Sequence, residues 1–184
     1  ALNGGFGNDT YVYARGDGDD VIDETNAYAS SADLLILSGI SSTDVTVERR
    51  GDDAVIVVHP SAPGANDGGT IKLKGQMSPQ YDSGVETIQF SDIAWTAVDL
   101  RQRYIDDSTT ESNDVVTGTS GNDTMTGGLG ADVFAWKLGD QGTPGTPAVD
   151  RITDFNTVVN GDKLDLRDLL QGENHASRTG NLGN

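Results

Sequence analysis

Asp114, Asp123 and Asp132 recur nine residues apart, and an apolar residue follows each two places later: Val116, Met125 and Phe134. Glycines precede two of them at fixed offsets, in GTSGNDTMT (118–126) and GGLGADVFA (127–135); TTESNDVVT (109–117) keeps the register with Ser112 where a glycine would sit. The start of the chain carries the same unit. GGFGNDTYV (4–12) fits fully, with Asp9 and Tyr11, and RGDGDDVID (15–23) fits with Asp20 and Ile22 after a two-residue insertion. Leu2 lies nine residues before Tyr11, as if inside an earlier unit.

Each position of the unit has a physical task. Glycine permits positive φ and close approach of neighbouring backbones. The apolar residue, flanked by outward-facing ones, makes a three-residue strand with one side chain pointing in. Such a strand buries nothing alone, but stacked copies build a narrow continuous core. Stacking would also align the turn aspartates at about one strand spacing, ~4.8 Å. A row of like charges at that distance repels itself. A hard divalent cation between turns removes the repulsion, and calcium suits the task because it takes six to eight oxygen ligands, turn carbonyls included. The metal candidates are therefore Gly5, Gly7 and Asp9; Gly16, Gly18 and Asp20; Asp114; Gly118, Gly121 and Asp123; and Gly128, Gly130 and Asp132. Several calcium ions are expected. One glycine–aspartate unit would be an ordinary turn, but two full matches, one lacking only the second glycine and two degenerate ones make a framework.

The rest of the chain must position these units. Residues 33–105 read as β-rich globular sequence. Val45 and Val47 alternate, a turn follows at Arg50-Gly51-Asp52-Asp53, and a buried-type run spans 54–58, which together predict a hairpin. TIKLKG, with Ile71 and Leu73, and ETIQF, with Ile88 and Phe90, read as half-buried strands. Thr96 with Asp99 three places on resembles a helix N-cap, and Val98, Leu100, Arg101, Tyr104 and Ile105 continue at helical spacing, predicting a short helix near 97–105. Residues 61–69 read as a loop. The expected division is 1–32, a first repeat portion; 33–108, a β-rich inter-repeat segment with the helix; 109–146, a second repeat portion; and 147–184, a C-terminal region.

Composition narrows the function classes. The chain of 184 residues has 29 acidic and 12 basic residues, a net charge of −17, which opposes nucleic acid or anionic membrane as a main partner. It has no cysteine, so disulfides, thiolate metal sites and cysteine nucleophiles are excluded. No run is long enough for a membrane span, and no membrane insertion is expected. The chain opens at Ala1 without methionine and ends in a glycine- and asparagine-rich stretch, and it reads as a piece of a longer protein.

No enzyme signature emerges. His59 and His175 are the only histidines, each in or beside a loop, and no GxSxG, HExxH or phosphate-binding loop occurs. The acids sit in repeated turns with no unique pair of the kind glycosidases use. The RGD at Arg15 to Asp17 lies within a degenerate repeat turn, where its glycine and aspartate already have a role. Asp150, Asp154, Asp162 and Asp165 form a further calcium candidate, against which stands a short helix exposing Asp165 and Asp168 while Leu166, Leu169 and Leu170 pack inward.

At its nonapeptides the chain resembles the RTX family, the haemolysin-type calcium-binding repeat proteins. The resemblance implies a mainly β fold: a parallel β-roll with calcium between its turns, interrupted here by the β-rich segment and its helix. It also implies export by a type I secretion machine through an uncleaved C-terminal signal, and a secreted or bacterial cell-surface location. GADVFAWKLGD with DRITDFNTVVNGDKLDLRDLL is similar to the C-terminal region of type I-secreted adhesins, where the roll and this region fold as a cap beside the secretion signal. The expectation is a non-enzymatic calcium module of a large surface adhesin, any surface ligand being bound through the rest of that protein. The alternatives are the non-catalytic end of a secreted lipase, protease or polysaccharide-modifying enzyme, or of an RTX toxin. Ser112, Thr119 and Arg15 replace framework glycines, and TPGT (143–146) adds a loop; these faces are expected to bind calcium weakly or not at all.

Overall fold

A computed structural model describes residues 1–24, 31–78, 84–143 and 145–170. The described residues are mainly strand with one α-helix. In order come β1 (Thr10–Ala14), β2 (Asp19–Ile22), β3 (Leu34–Ser38), β4 (Val45–Arg50), β5 (Asp53–Val58), β6 (Gly69–Leu73), β7 (Thr87–Gln89) and β8 (Ala94–Thr96). Helix α1 (Ala97–Asp107) follows. Then come β9 (Val115–Thr117), β10 (Thr124–Met125), β11 (Val133–Ala135), β12 (Gly142–Thr143), β13 (Thr146–Pro147), β14 (Arg151–Ile152) and β15 (Lys163–Asp165).

One continuous parallel roll is not what forms; the sheets are mixed. β1, β3 and β7 run parallel and β8 antiparallel in one four-stranded sheet, while β2 and β6 run parallel and β5 and β4 antiparallel in another. The cause is the connections. The β4–β5 hairpin turns through Gly51 and Asp52, with Gly51 at φ +69°, and so short a link forces antiparallel pairing. The first repeats therefore share their sheets with strands of the middle segment. From β9 onward two small sheets are wholly parallel, β9–β11–β15 and β10–β14.

The inward residues follow the sequence pattern. Val116, Met125 and Phe134 are each 0 % exposed and Ile22 is 2 % exposed. Leu2 is half exposed and only bridges Ile22 in parallel. β5 is buried along nearly its whole length, as a central apolar run requires. Two cores result. The larger runs from Tyr11 through Leu35, Ile56 and Ile88 to Leu100; the smaller joins Ile105, Val116, Met125 and Phe134. Helix α1 lies between them, with Leu100 in the first, Ile105 in the second and Tyr104 against both. Its N-terminus carries the expected box: Thr96 accepts from the Asp99 amide and Asp99 accepts from the Thr96 amide. Val98, by contrast, faces outward. Asp165 pairs with Arg167, Leu166 and Leu170 are exposed, and residues 167–170 form a turn rather than a helix.

Candidate metal centre

Consecutive repeat units fall in different sheets: β9 and β11 share one, and β10, between them in sequence, belongs to the other. The aspartates that stack are therefore two units apart. Asp114 donates its amide to Asp132 Oδ1 at 2.9 Å, and Asp123 belongs to a separate row. One turn of the coil consumes two nonapeptides, so adjacent units face opposite sides. That differs from the single row of successive aspartates which the spacing alone suggests.

The rows continue past the glycine-bearing units. Asp132 donates its amide to Asp162 Oδ1 at 2.9 Å, and Asp123 donates to Asp150 Oδ1 at 3.0 Å. In the first portion Asp9 donates to Asp33 Oδ1 at 2.8 Å, and Asp33 donates to Glu86 Oε2 at 2.6 Å. Asp154 accepts from the Gly127 and Gly128 amides at 2.9 and 2.8 Å. Of the tail acids, Asp150 and Asp162 thus end rows, Asp154 caps a repeat turn, and Asp165 does neither. Asparagines brace the same ladder. Asn8, Asn113 and Asn122, each just before its aspartate, accept from the amides of Ala32, Ala131 and Val149 on the next rung.

Sequence reading missed Asp33, Glu86 and the asparagines. A signal was present: an acid two places before an apolar strand residue recurs at Asp33/Leu35, Glu86/Ile88, Asp150/Ile152 and Asp162/Leu164 without the glycines. The Asn-Asp pair also recurs in three units.

Turn conformation divides the units. Gly5, Gly7, Gly16, Gly18, Gly128 and Gly130 all have positive φ, whereas Gly118 and Gly121 do not. The close approach is plainest at Gly128 and Gly130, where a Cβ would stand 2.8 Å from Thr110 O and 2.6 Å from Ser112 O, carbonyls of the turn below. Gly118 is needed instead for packing, since a Cβ there would meet Trp136 Nε1 at 2.6 Å.

The carboxylates divide in the same way. Where threonine replaces the second glycine, it saturates the aspartate. Thr110 donates its amide and hydroxyl to Asp114, and Thr119 donates its amide at 2.6 Å and its hydroxyl at 2.7 Å to Asp123. Burial still raises the Asp123 carboxyl above the usual carboxylate range; the Thr119 bonds oppose this, and Asp150 and Asp140 add to it. Where glycine is kept, an oxygen stays open: Asp9 Oδ2 and Asp132 Oδ2 are buried with no hydrogen-bond partner. A side chain at Gly4 or Gly127 would overlap the carboxylate of Asp9 or Asp132. A buried, unpaired carboxylate oxygen is unfavourable unless a cation or proton meets it. These two sites fit a hard cation; Asp114 and Asp123 are already satisfied.

The turn at Gly16, Gly18 and Asp20 is tied elsewhere. Gly16 donates to Asp67 O at 3.0 Å, Gly18 O accepts from the Tyr13 hydroxyl at 2.8 Å, and Asp17, not Asp20, accepts from the Ala14 amide. Arg15 of the RGD is paired with Asp44 at 2.8 Å. His59 contacts Thr46 Oγ1 at 3.2 Å on the surface; His175 lies outside the described residues. Among the described residues, no three Asp, Glu or His side chains converge as a full ligand set, so an ion would draw on turn carbonyls such as those of Thr110 and Ser112. No helix among them is long and apolar enough to cross a membrane.

Residues 108–135 match the family model of the RTX calcium-binding nonapeptide repeat, described as four copies. No curated protein matches the chain. The matched stretch carries the Asp114–Asp132 row and Asp123, and its units are similar to calcium-binding repeats.

Proposed function

We propose that the protein is a non-enzymatic calcium module that folds on meeting extracellular calcium and belongs to a type I-secreted, adhesin-like parent. The observation that carries the calcium reading is the buried, unpartnered Asp132 Oδ2 inside the matched repeats, in a turn whose Gly128 and Gly130 lie against the carbonyls of Thr110 and Ser112. Asp132, with the carbonyls of Thr110 and Ser112, would hold one ion, and Asp9 would hold another. Calcium supplies the positive charge between stacked turns that the chain, at −17, lacks. The second portion is then a short parallel β-roll: two facing parallel sheets, successive units alternating between them.

Extracellular calcium modules bind at about 10⁻⁴–10⁻³ M. Such a module stays unfolded at the far lower cytosolic level and folds outside, because ion binding and folding are one equilibrium. Export through a type I machine fits a chain that folds only on arrival. The adhesin parent is supported by the tail, whose Asp150 and Asp162 end the carboxylate rows as a cap would.

The test is a calcium titration after chelation, followed by far-ultraviolet circular dichroism and calorimetry, with magnesium as control. Cooperative gain of β signal with several calcium ions, and none with magnesium, is the expected result. A full β spectrum in chelator would sink the reading.

A further inference from the structure

We infer that Glu24 and Asp33, neither of them in a repeat unit, are the carboxylate ligands of an additional divalent-cation site at the head of the first row. This rests on the calcium reading above and extends it to residues outside the repeat motif. Both side chains are almost fully buried, at 2 % and 1 % exposure. Each is anchored by one oxygen and leaves the other open. Glu24 Oε1 accepts from the Gly4 amide at 3.0 Å and from the Tyr11 hydroxyl, while Asp33 Oδ1 accepts from the Asp9 amide at 2.8 Å. Glu24 Oε2 and Asp33 Oδ2 are buried and have no hydrogen-bond partner.

Gly4 and Asp9 bring the two acids together. The Gly4 amide holds Glu24, a side chain on Gly4 would overlap the Asp9 carboxylate, and the Asp9 amide holds Asp33. Two buried carboxylates so placed require a counter-charge or a proton. Residues 1–14 and 24–37 contain no Lys, Arg or His, and Lys74, beside the end of β2, is already paired with Asp23. Open oxygens from two carboxylates, with turn carbonyls and water completing the shell, suit a hard cation of the calcium class and not a soft one. Asp9 adds negative charge beside the site.

Terbium can stand in for calcium, with Tyr11 as its antenna because its hydroxyl already touches Glu24. Calcium ions per chain and tyrosine-sensitised terbium emission are measured on the whole chain for wild type, the double variant Glu24→Gln/Asp33→Asn, Asp132→Asn and Tyr11→Phe. The double variant is expected to lose one ion and most of the emission. Asp132→Asn should lose a different ion and keep that emission. Tyr11→Phe, which preserves the buried ring, should keep the ion count while the emission falls several-fold. An unchanged ion count in a folded double variant would overturn the site and assign the acids to a shared proton. So would unchanged emission in Tyr11→Phe, a readout that does not depend on the double variant folding. If Asp132→Asn loses no ion while the double variant does, the repeat reading fails and this site stands.

Discussion

Two aspartates at the same position of the same motif do opposite things. Asp132 keeps a buried oxygen without a partner, while Asp114 has its carboxylate bonded to Thr110. Asp132→Asn should therefore stabilise the chain in chelator, by removing an unpaired buried charge, and weaken it in calcium, by removing a ligand. Asp114→Asn should destabilise in chelator by about 1 kcal/mol, the worth of an ordinary hydrogen bond, and change calcium affinity little. Melting curves of both variants with and without calcium check the crossing of signs; Asp132→Asn less stable than wild type in chelator would refute it. Much of this was legible in the sequence. The inward positions of Tyr11, Val116, Met125 and Phe134 follow from spacing, and Thr119 was visible as a departure. Asp33 and Glu86 were not, and Asp150 and Asp162, though visible as calcium candidates, could not be assigned to the repeat rows. An acid two places before an apolar residue is too common a pattern to single out, and insertions of varying length separate these rungs from the repeats. Only pairing in three dimensions restores their phase.

At the scale of elements, helix α1 is the joint between the two cores, and its cap is the part of it most open to test. Thr96→Ala removes the side chain that accepts from the Asp99 amide and should cost about 1 kcal/mol, as N-cap losses do. The Asp99 carboxyl is held below its ordinary range, first by the Thr96 amide and then by the Thr96 hydroxyl. A group whose folded pKa is lowered stabilises above its unfolded value, about 3.9 for aspartate, and that contribution drains away as pH falls further. The gap in melting temperature between wild type and Thr96→Ala should thus be constant near neutral pH and narrow below about pH 4. A gap independent of pH down to acid would show that the Thr96 hydroxyl does not hold the Asp99 carboxylate, since the residue-96 amide bond to Asp99 is present in both chains. Helix, cap and hairpin were readable because each has a local signal. The mixed sheets were not, because pairing β1 with β3 and β3 with β7 depends on contacts distant in sequence.

Across the whole molecule, the two cores meet through α1 and through one buried ion pair. Arg49, on the hairpin, reaches Asp140 beyond β11 at 3.0 Å, with side chains 3 % and 1 % exposed, and also donates to Gly118 O at 2.9 Å in the repeats. Calcium bound in the second portion stabilises whatever is coupled to it, by mass action on the folded state. With the pair intact, both cores should fold in one calcium-dependent transition. Each core supplies a reporter: Trp95 packs in the first, and Trp136 flanks the second while donating to Asp150 at 2.6 Å. Removing one partner of a buried pair typically costs about 3–5 kcal/mol because the other is left as a lone charge. Arg49→Ala should do so, and should split the calcium titration into two midpoints when single-tryptophan variants are followed by fluorescence. The double change Arg49→Met/Asp140→Leu separates charge from coupling. It should recover most of the stability, since no unpaired ion remains, and restore a common midpoint if packing alone transmits the effect. Coincident midpoints in Arg49→Ala would instead mean that α1 carries the coupling unaided, through Leu100 on one side and Ile105 on the other.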